Sequence, residues 1–129
     1  MFVAMFRRIF SYKFFPLAFT IFTIILLCIP GSMVPGEGIF GLENLDKVVH
    51  VILFAMNVLF WGWHYQTSQD RSESKKNWNY LAAVAIMSLL GVVMEYVQLY
   101  FIPNRSFDSW DIVADIVGSV AAGVWLWRN

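Results

Sequence analysis

The sequence predicts an all-α fold: a four-helix transmembrane bundle with both termini in the cytoplasm. Three observations predict it. The 129 residues are 59% hydrophobic and only 14% charged, against about 25% charged in an average soluble domain. A soluble chain this small has too little interior to hide so much apolar surface, and a bilayer removes that difficulty. Second, four apolar runs of about 16 to 23 residues follow one another, the length a helix needs to cross about 30 Å of hydrocarbon. Third, the basic residues are one-sided. Arg7, Arg8, Lys13, Arg71, Lys75, Lys76 and Arg128 fall in the head, the second loop and the tail, and only Lys47 and Arg105 fall at the opposite level. The positive-inside rule then places both termini in the cytoplasm.

Residues 1–13 form a short basic cytoplasmic head, and 14–129 form one membrane domain. The first helix is expected at about 14–30, ended by Pro30 and Gly31. A cleaved signal peptide also starts basic and continues apolar. Pro30-Gly31-Ser32-Met33 lacks a small-x-small site, and Ile25-Leu26-Leu27-Cys28 lacks the small residue that precedes a lipoprotein cysteine, so this helix is read as retained. Gly31 to Leu45 is a loop with Gly36, Gly38, Gly41, Glu37 and Glu43, and Asn44 or Asp46 is placed to cap the next helix. That second helix is expected at about 46–65. A polar loop follows, then a third helix at about 78–101 that Pro103 closes, then a fourth at about 109–127 with Asp108 or Ser109 as its cap. Trp61, Trp63, Trp78, Trp125 and Trp127 lie near the inner interface and Trp110 near the outer one. Cys28 is the sole cysteine, so an internal disulfide is impossible. Zero net charge gives no sign of nucleic-acid binding.

The polar residues inside the apolar runs are costly and need a reason to be there. Asp46, Lys47 and His50 open the second helix within one turn. Glu95 and Gln98 share a face near the end of the third. Arg105 and Asp108 stand in the elbow. Asp111 and Asp115 follow in the first turns of the fourth helix, spaced to share one face with Asp108. Gly118 and Ala122 continue that face with small residues, which suit close helix contact. All these groups reach one level at the outer surface. The inner halves of the helices are expected to hold almost no polar residue apart from an interfacial His64.

Two blocks carry a resemblance: Asp46-Lys47-x-x-His50, and Glu95-x-x-Gln98 running through Pro103, Arg105, Asp108 and Asp111 to Asp115, Gly118 and Gly123. Taken together and in this order, they resemble the VanZ-like family of small membrane proteins. The resemblance implies a multi-pass protein of the cell envelope. It implies a link to glycopeptide (teicoplanin) resistance only through the family's name. Where the family pattern commonly has Asn before the glycine of the last helix, this chain has Asp115, which adds a negative charge.

Asp46, Glu95, Asp108, Asp111 and Asp115 face only Lys47, Arg105 and His50. Three outcomes are open: some carboxyls keep a proton, a divalent cation binds, or Lys47 and Arg105 lock the acids into ion pairs. Metal and cofactor are therefore left undetermined. His50, Glu95, Asp111 and Asp115 are the candidate acid–base residues, and Asp46, Lys47, Gln98, Arg105 and Asp108 the candidate ligand-binding residues, with Arg105 suited to an anionic group. The favoured expectation is a site that binds or modifies an envelope lipid, glycan or peptide. The alternatives are an acid–base or metal-assisted enzyme acting on a lipid-linked substrate, a purely structural polar knot, and a carrier. No nucleophile elbow, phosphate-binding glycine loop, HExxH or CxxC motif is present.

Overall fold

A computed structural model of the chain describes residues 1–30, 45–68 and 73–129. Its elements are α1 (Phe2–Ser11), α2 (Phe14–Leu27), α3 (Leu45–Ser68), α4 (Glu73–Phe101) and α5 (Ser109–Arg128). No strand occurs among the described residues. Of the expected Gly31–Leu45 loop only Leu45 is described, as the first residue of α3; the rest of that loop, the Asn44 cap, and Asp70 and Arg71 lie outside the described residues.

The helices α3, α4 and α5 are long and apolar enough to cross a membrane, and α2 is shorter, at 14 residues. That is about 21 Å at 1.5 Å per residue. The sequence-based expectation for this helix ran on to residue 30. The structure ends it at Leu27, with Cys28 still near helical geometry and Ile29 N–H closing a tight turn onto Leu26 O at 3.3 Å. Pro30 cannot extend that turn. The basic head forms α1, which ends at the extended Tyr12 and packs against α3. It exposes Phe2, Met5, Phe6 and Ile9.

Contacts between rings and hydrogen bonds fix the helix directions. Phe15 of α2 meets Phe60 of α3 edge-on at 5.1 Å, whereas Thr23, further along α2, meets Asn57, earlier in α3. Thus α2 and α3 are antiparallel. Gln66 near the end of α3 donates to Tyr80 Oη near the start of α4 at 2.6 Å, and Trp63 meets Trp125 near the end of α5 at 6.2 Å. The start of α2 and the end of α5 therefore share one end of the bundle. The opposite end gathers the last turn of α2, the first turn of α3, the last turns of α4 and the first turns of α5.

The core runs through Leu27, Leu53, Phe54, Val58, Tyr80, Ala83, Met87, Met94, Ala122 and Leu126. The outer surface is also apolar: Ile52, Leu81, Ile86, Leu89, Val93, Val117 and Val124 are exposed. Polar groups are instead found inside, including Thr23, His50, Asn57, Glu95, Gln98, Asp115 and Ser119. A water-soluble domain would reverse that arrangement, so lipid is the solvent that matches it.

The tightest joint is between α3 and α5. A Cβ at Gly118 would strike the Val51 carbonyl of α3, so only glycine lets the two backbones approach this closely. At the elbow, Asn104 takes the left-handed conformation at φ 58°, which asparagine tolerates better than most residues. Pro103 and Asn104 turn the chain so that α5 returns along α4.

Candidate functional site

The site is assembled at the end where α2 and α4 finish and α3 and α5 begin. Its frame is the cap of α5. Asp108 is extended, and its Oδ1 accepts from Trp110 N–H at 2.9 Å, so it, and not Ser109, is the N-cap. The Asp108 backbone N–H donates to Glu95 Oε2 at 3.0 Å, which ties the start of α5 to the last turns of α4. Glu95 is 1% exposed.

Helix α3 supplies the cations. Lys47 Nζ lies 2.9 Å from Asp108 Oδ2, 3.1 Å from Asp46 Oδ2 and 3.5 Å from Asp111 Oδ1. One ammonium thus sits among three carboxylates from two helices and the cap. Lys47 and the Trp110 amide hold the Asp108 carboxyl below the usual carboxylate range. One turn further along α3, His50 is buried. Its Nδ1 stands 2.7 Å from Asp115 Oδ1, and its Nε2 stands 3.8 Å from Asp111 Oδ2. The first distance is a short hydrogen bond; the second is too long for one.

Asp115 fits because α4 makes room for it. A Cβ at Gly91 would lie 2.6 Å from Asp115 Oδ2. Three buried oxygens, Asp111 Oδ1, Asp115 Oδ2 and Ser119 Oγ, have no hydrogen-bond partner among the described residues. Asp111 Oδ1 keeps only the longer ion-pair approach to Lys47.

Of the nine candidate residues, seven meet here: Asp46, Lys47, His50, Glu95, Asp108, Asp111 and Asp115. Gln98 and Arg105 are placed differently. Gln98 Nε2 donates to Leu27 O at 2.8 Å, and Arg105 Nε donates to Ile29 O at 3.1 Å. Both satisfy carbonyls that the end of α2 leaves without helical partners. Arg105 forms no ion pair with an acid among the described residues. The expected pairing with Asp108 or Asp111 is therefore corrected: Arg105 Nε serves the end of α2, and the cation on Asp108 is Lys47.

A second polar cluster lies in the middle of the bundle, where almost nothing polar was expected. Asn57 is fully buried in α3. Its Nδ2 donates to Thr23 Oγ1 at 2.9 Å and to Leu53 O at 2.8 Å, and Thr20 Oγ1 donates to its Oδ1 at 2.8 Å. Trp61 Nε1 donates to Thr20 Oγ1 at 3.0 Å. The spacing of seven between Asn57 and His50 was the available signal, since it puts both on one face of α3. His64 is half-buried beside the Trp61 and Tyr65 rings.

Chemically, the end site offers an imidazole held by a carboxylate, two further buried carboxyls, and a charged rim at Asp46, Lys47 and Asp108. That set can relay a proton, bind a cation or accept hydrogen bonds from a polar ligand. A scan against family models, a search of curated proteins and a search of solved structures each returned no match.

Proposed function

We propose that the chain is a multi-pass cell-membrane protein of the VanZ-like type, with four membrane helices and both termini in the cytoplasm. In this reading its polar site faces outward and binds a component of the cell envelope. One observation carries it. Two stretches some fifty residues apart, Asp46-Lys47-His50 and Glu95 to Asp115, close on each other through Lys47–Asp108 at 2.9 Å and His50–Asp115 at 2.7 Å. Charged groups this close to lipid are expensive, and a bundle needs far fewer of them to hold together. The partly exposed rim gives an extracytoplasmic lipid headgroup, glycan or peptide a way in, and the buried carboxyls beneath it give that ligand hydrogen-bond acceptors.

Orientation is tested by cysteine accessibility in a Cys28→Ser background. A membrane-impermeant maleimide added to intact cells should label Ser106→Cys and spare Ser72→Cys. Labelling of Ser72→Cys alone refutes the outward site.

The His50–Asp115 pair favours one second reading, an acid–base enzyme on a lipid-linked envelope substrate, because a carboxylate that fixes an imidazole also sets which nitrogen exchanges a proton. If His50→Ala and Glu95→Gln keep ligand affinity but abolish turnover, the site is catalytic. If both lose affinity alone, it is a binding site.

A further inference from the structure

Two groups of metal-type ligands occur in the site, and the chain treats them differently. Asp46, Asp108 and Asp111 each bring a carboxylate oxygen to a common region, and His50 brings a ring nitrogen to carboxylate oxygens of Glu95 and Asp111, with the ligand atoms of each set within 4.8 Å of one another. The first set encloses Lys47 Nζ, at 2.9 to 3.5 Å from its oxygens. Its cation is built in. The second set is buried, and among the described residues no Lys or Arg pairs with His50 or Glu95. We propose that His50 Nε2, Glu95 and Asp111 hold a divalent transition-metal ion, with Asp115 as the residue that orients His50.

Three features carry this. His50 Nδ1 and Asp115 Oδ1 share a 2.7 Å hydrogen bond, and in the Nδ1–H tautomer the imidazole turns its Nε2 lone pair toward Asp111 Oδ2, 3.8 Å away. A carboxylate behind a ligating histidine is the usual way its tautomer and angle are set. In that tautomer Nε2 and Asp111 Oδ2 are two donor atoms that a single cation between them can share. The spacing also fits one ion. Ligands at about 2.0–2.2 Å from a metal lie no more than about 4.4 Å apart, so small side-chain rotations close the set. Finally, Asp111 is 6% exposed, and its Oδ1 makes no hydrogen bond, only the 3.5 Å approach to Lys47 Nζ. That ammonium is shared with Asp46 and Asp108, so the buried charge is only partly offset, and metal ligation at the other oxygen offsets the rest. One nitrogen and two oxygens suit Zn²⁺ or Mn²⁺. Ca²⁺ requires six or more oxygens, and Mg²⁺ near-octahedral oxygen coordination. Three protein ligands leave a coordination position for an incoming group.

The inference deepens the reading of this pocket as a working site, and it does not depend on which side of the membrane the pocket faces. The full-length, tag-free protein in detergent is stripped with chelator and titrated with ZnCl₂ and MnCl₂ by calorimetry, with MgCl₂ and CaCl₂ in parallel. One equivalent of Zn²⁺ or Mn²⁺ should bind, and Mg²⁺ and Ca²⁺ should bind at least tenfold more weakly. Asp111→Asn and Glu95→Gln should abolish that binding. Asp115→Asn should keep the stoichiometry and weaken affinity about 10- to 100-fold, as expected of a residue behind the ligands. X-ray absorption at the zinc edge of the wild-type protein should report one imidazole among oxygen ligands, which covers the case of a variant that does not fold. No binding by the wild type overturns the proposal, as does binding that Asp111→Asn and Glu95→Gln leave intact, or a zinc shell without imidazole. Metal loss with correct cysteine labelling would sink this inference alone. Metal binding with reversed labelling would sink only the outward orientation.

Discussion

Gly118→Ala is the substitution whose effect the structure specifies most closely. The added methyl falls on the Val51 carbonyl, with Val51 Cα 3.1 Å away, so every near neighbour is backbone. Backbone cannot rotate aside as a side chain can. Restoring ordinary contact near 3.5 Å requires α3 and α5 to part by about 1 Å locally. Overpacking of that kind costs about 1–3 kcal/mol. Replacing a mid-helix glycine by alanine returns about 0.5–1 kcal/mol of propensity, so the net remains unfavourable. At roughly 4 °C per kcal/mol for a domain of this size, the melting temperature should fall by several degrees. Thermal unfolding in detergent, followed by circular dichroism, measures it. Gly123→Ala is the control, because its methyl meets chiefly one methyl of Val84, a half-buried side chain that can turn away. It should melt within about 1 kcal/mol of wild type. If Gly118→Ala melts at or above Gly123→Ala, the close approach of α3 and α5 is wrong.

Three other outcomes follow from the geometry. Asp115→Leu leaves His50 Nδ1 without its acceptor and should cost about 3–5 kcal/mol, whereas Asp115→Asn keeps an acceptor there and should cost less; equal losses on denaturation would refute the buried pair. Asn57→Leu removes hydrogen bonds to both Thr20 and Thr23. At about 0.6 kcal/mol for each interhelical bond it should cost roughly 1–2 kcal/mol, and Thr23→Val on that background should add little; full additivity would mean the cluster does not act as a unit. Asp108, depressed in the folded state by Lys47, contributes stability that is complete above its unfolded pKa of about 3.9 and disappears as pH falls through its lower folded value. Melting curves below about pH 5 should therefore be less acid-sensitive in Asp108→Asn than in the wild type, and identical slopes would contradict the Lys47 pairing.

Much of the bundle could be read from the chain because lipid simplifies the code. Twenty apolar residues in a row have few alternatives to a helix, and an acid inside such a run must meet a partner. Asp46, His50, Glu95, Asp111 and Asp115 stood out for that reason, and they do converge. The ion pair expected of Arg105 is absent among the described residues: charge alone cannot say whether a guanidinium meets a carboxylate or a helix end. That choice depends on where α2 stops, which Pro30 marks only to within a turn. Asn57 went unnoticed because an uncharged amide barely lowers the hydropathy of Leu53–Phe60, and its partners Thr20 and Thr23 lie more than thirty residues earlier. The basic head was assigned no element, and its apolar residues fall at helical spacing, which leaves Phe2, Met5, Phe6 and Ile9 on the surface of α1.

The early stop of α2 has a consequence for the membrane itself. Gln98 and Arg105 answer the carbonyls of Leu27 and Ile29, so this helix can finish without reaching the headgroups. If α2 crosses the membrane as proposed, its roughly 21 Å falls short of a hydrocarbon layer near 30 Å, and thinning of the layer is one way to close the difference. At fractions of a kcal/mol per ångström, a mismatch of that size amounts to a few kcal/mol. It would bias the chain toward thinner bilayer and draw the lipid boundary down on the α2 flank of its polar end.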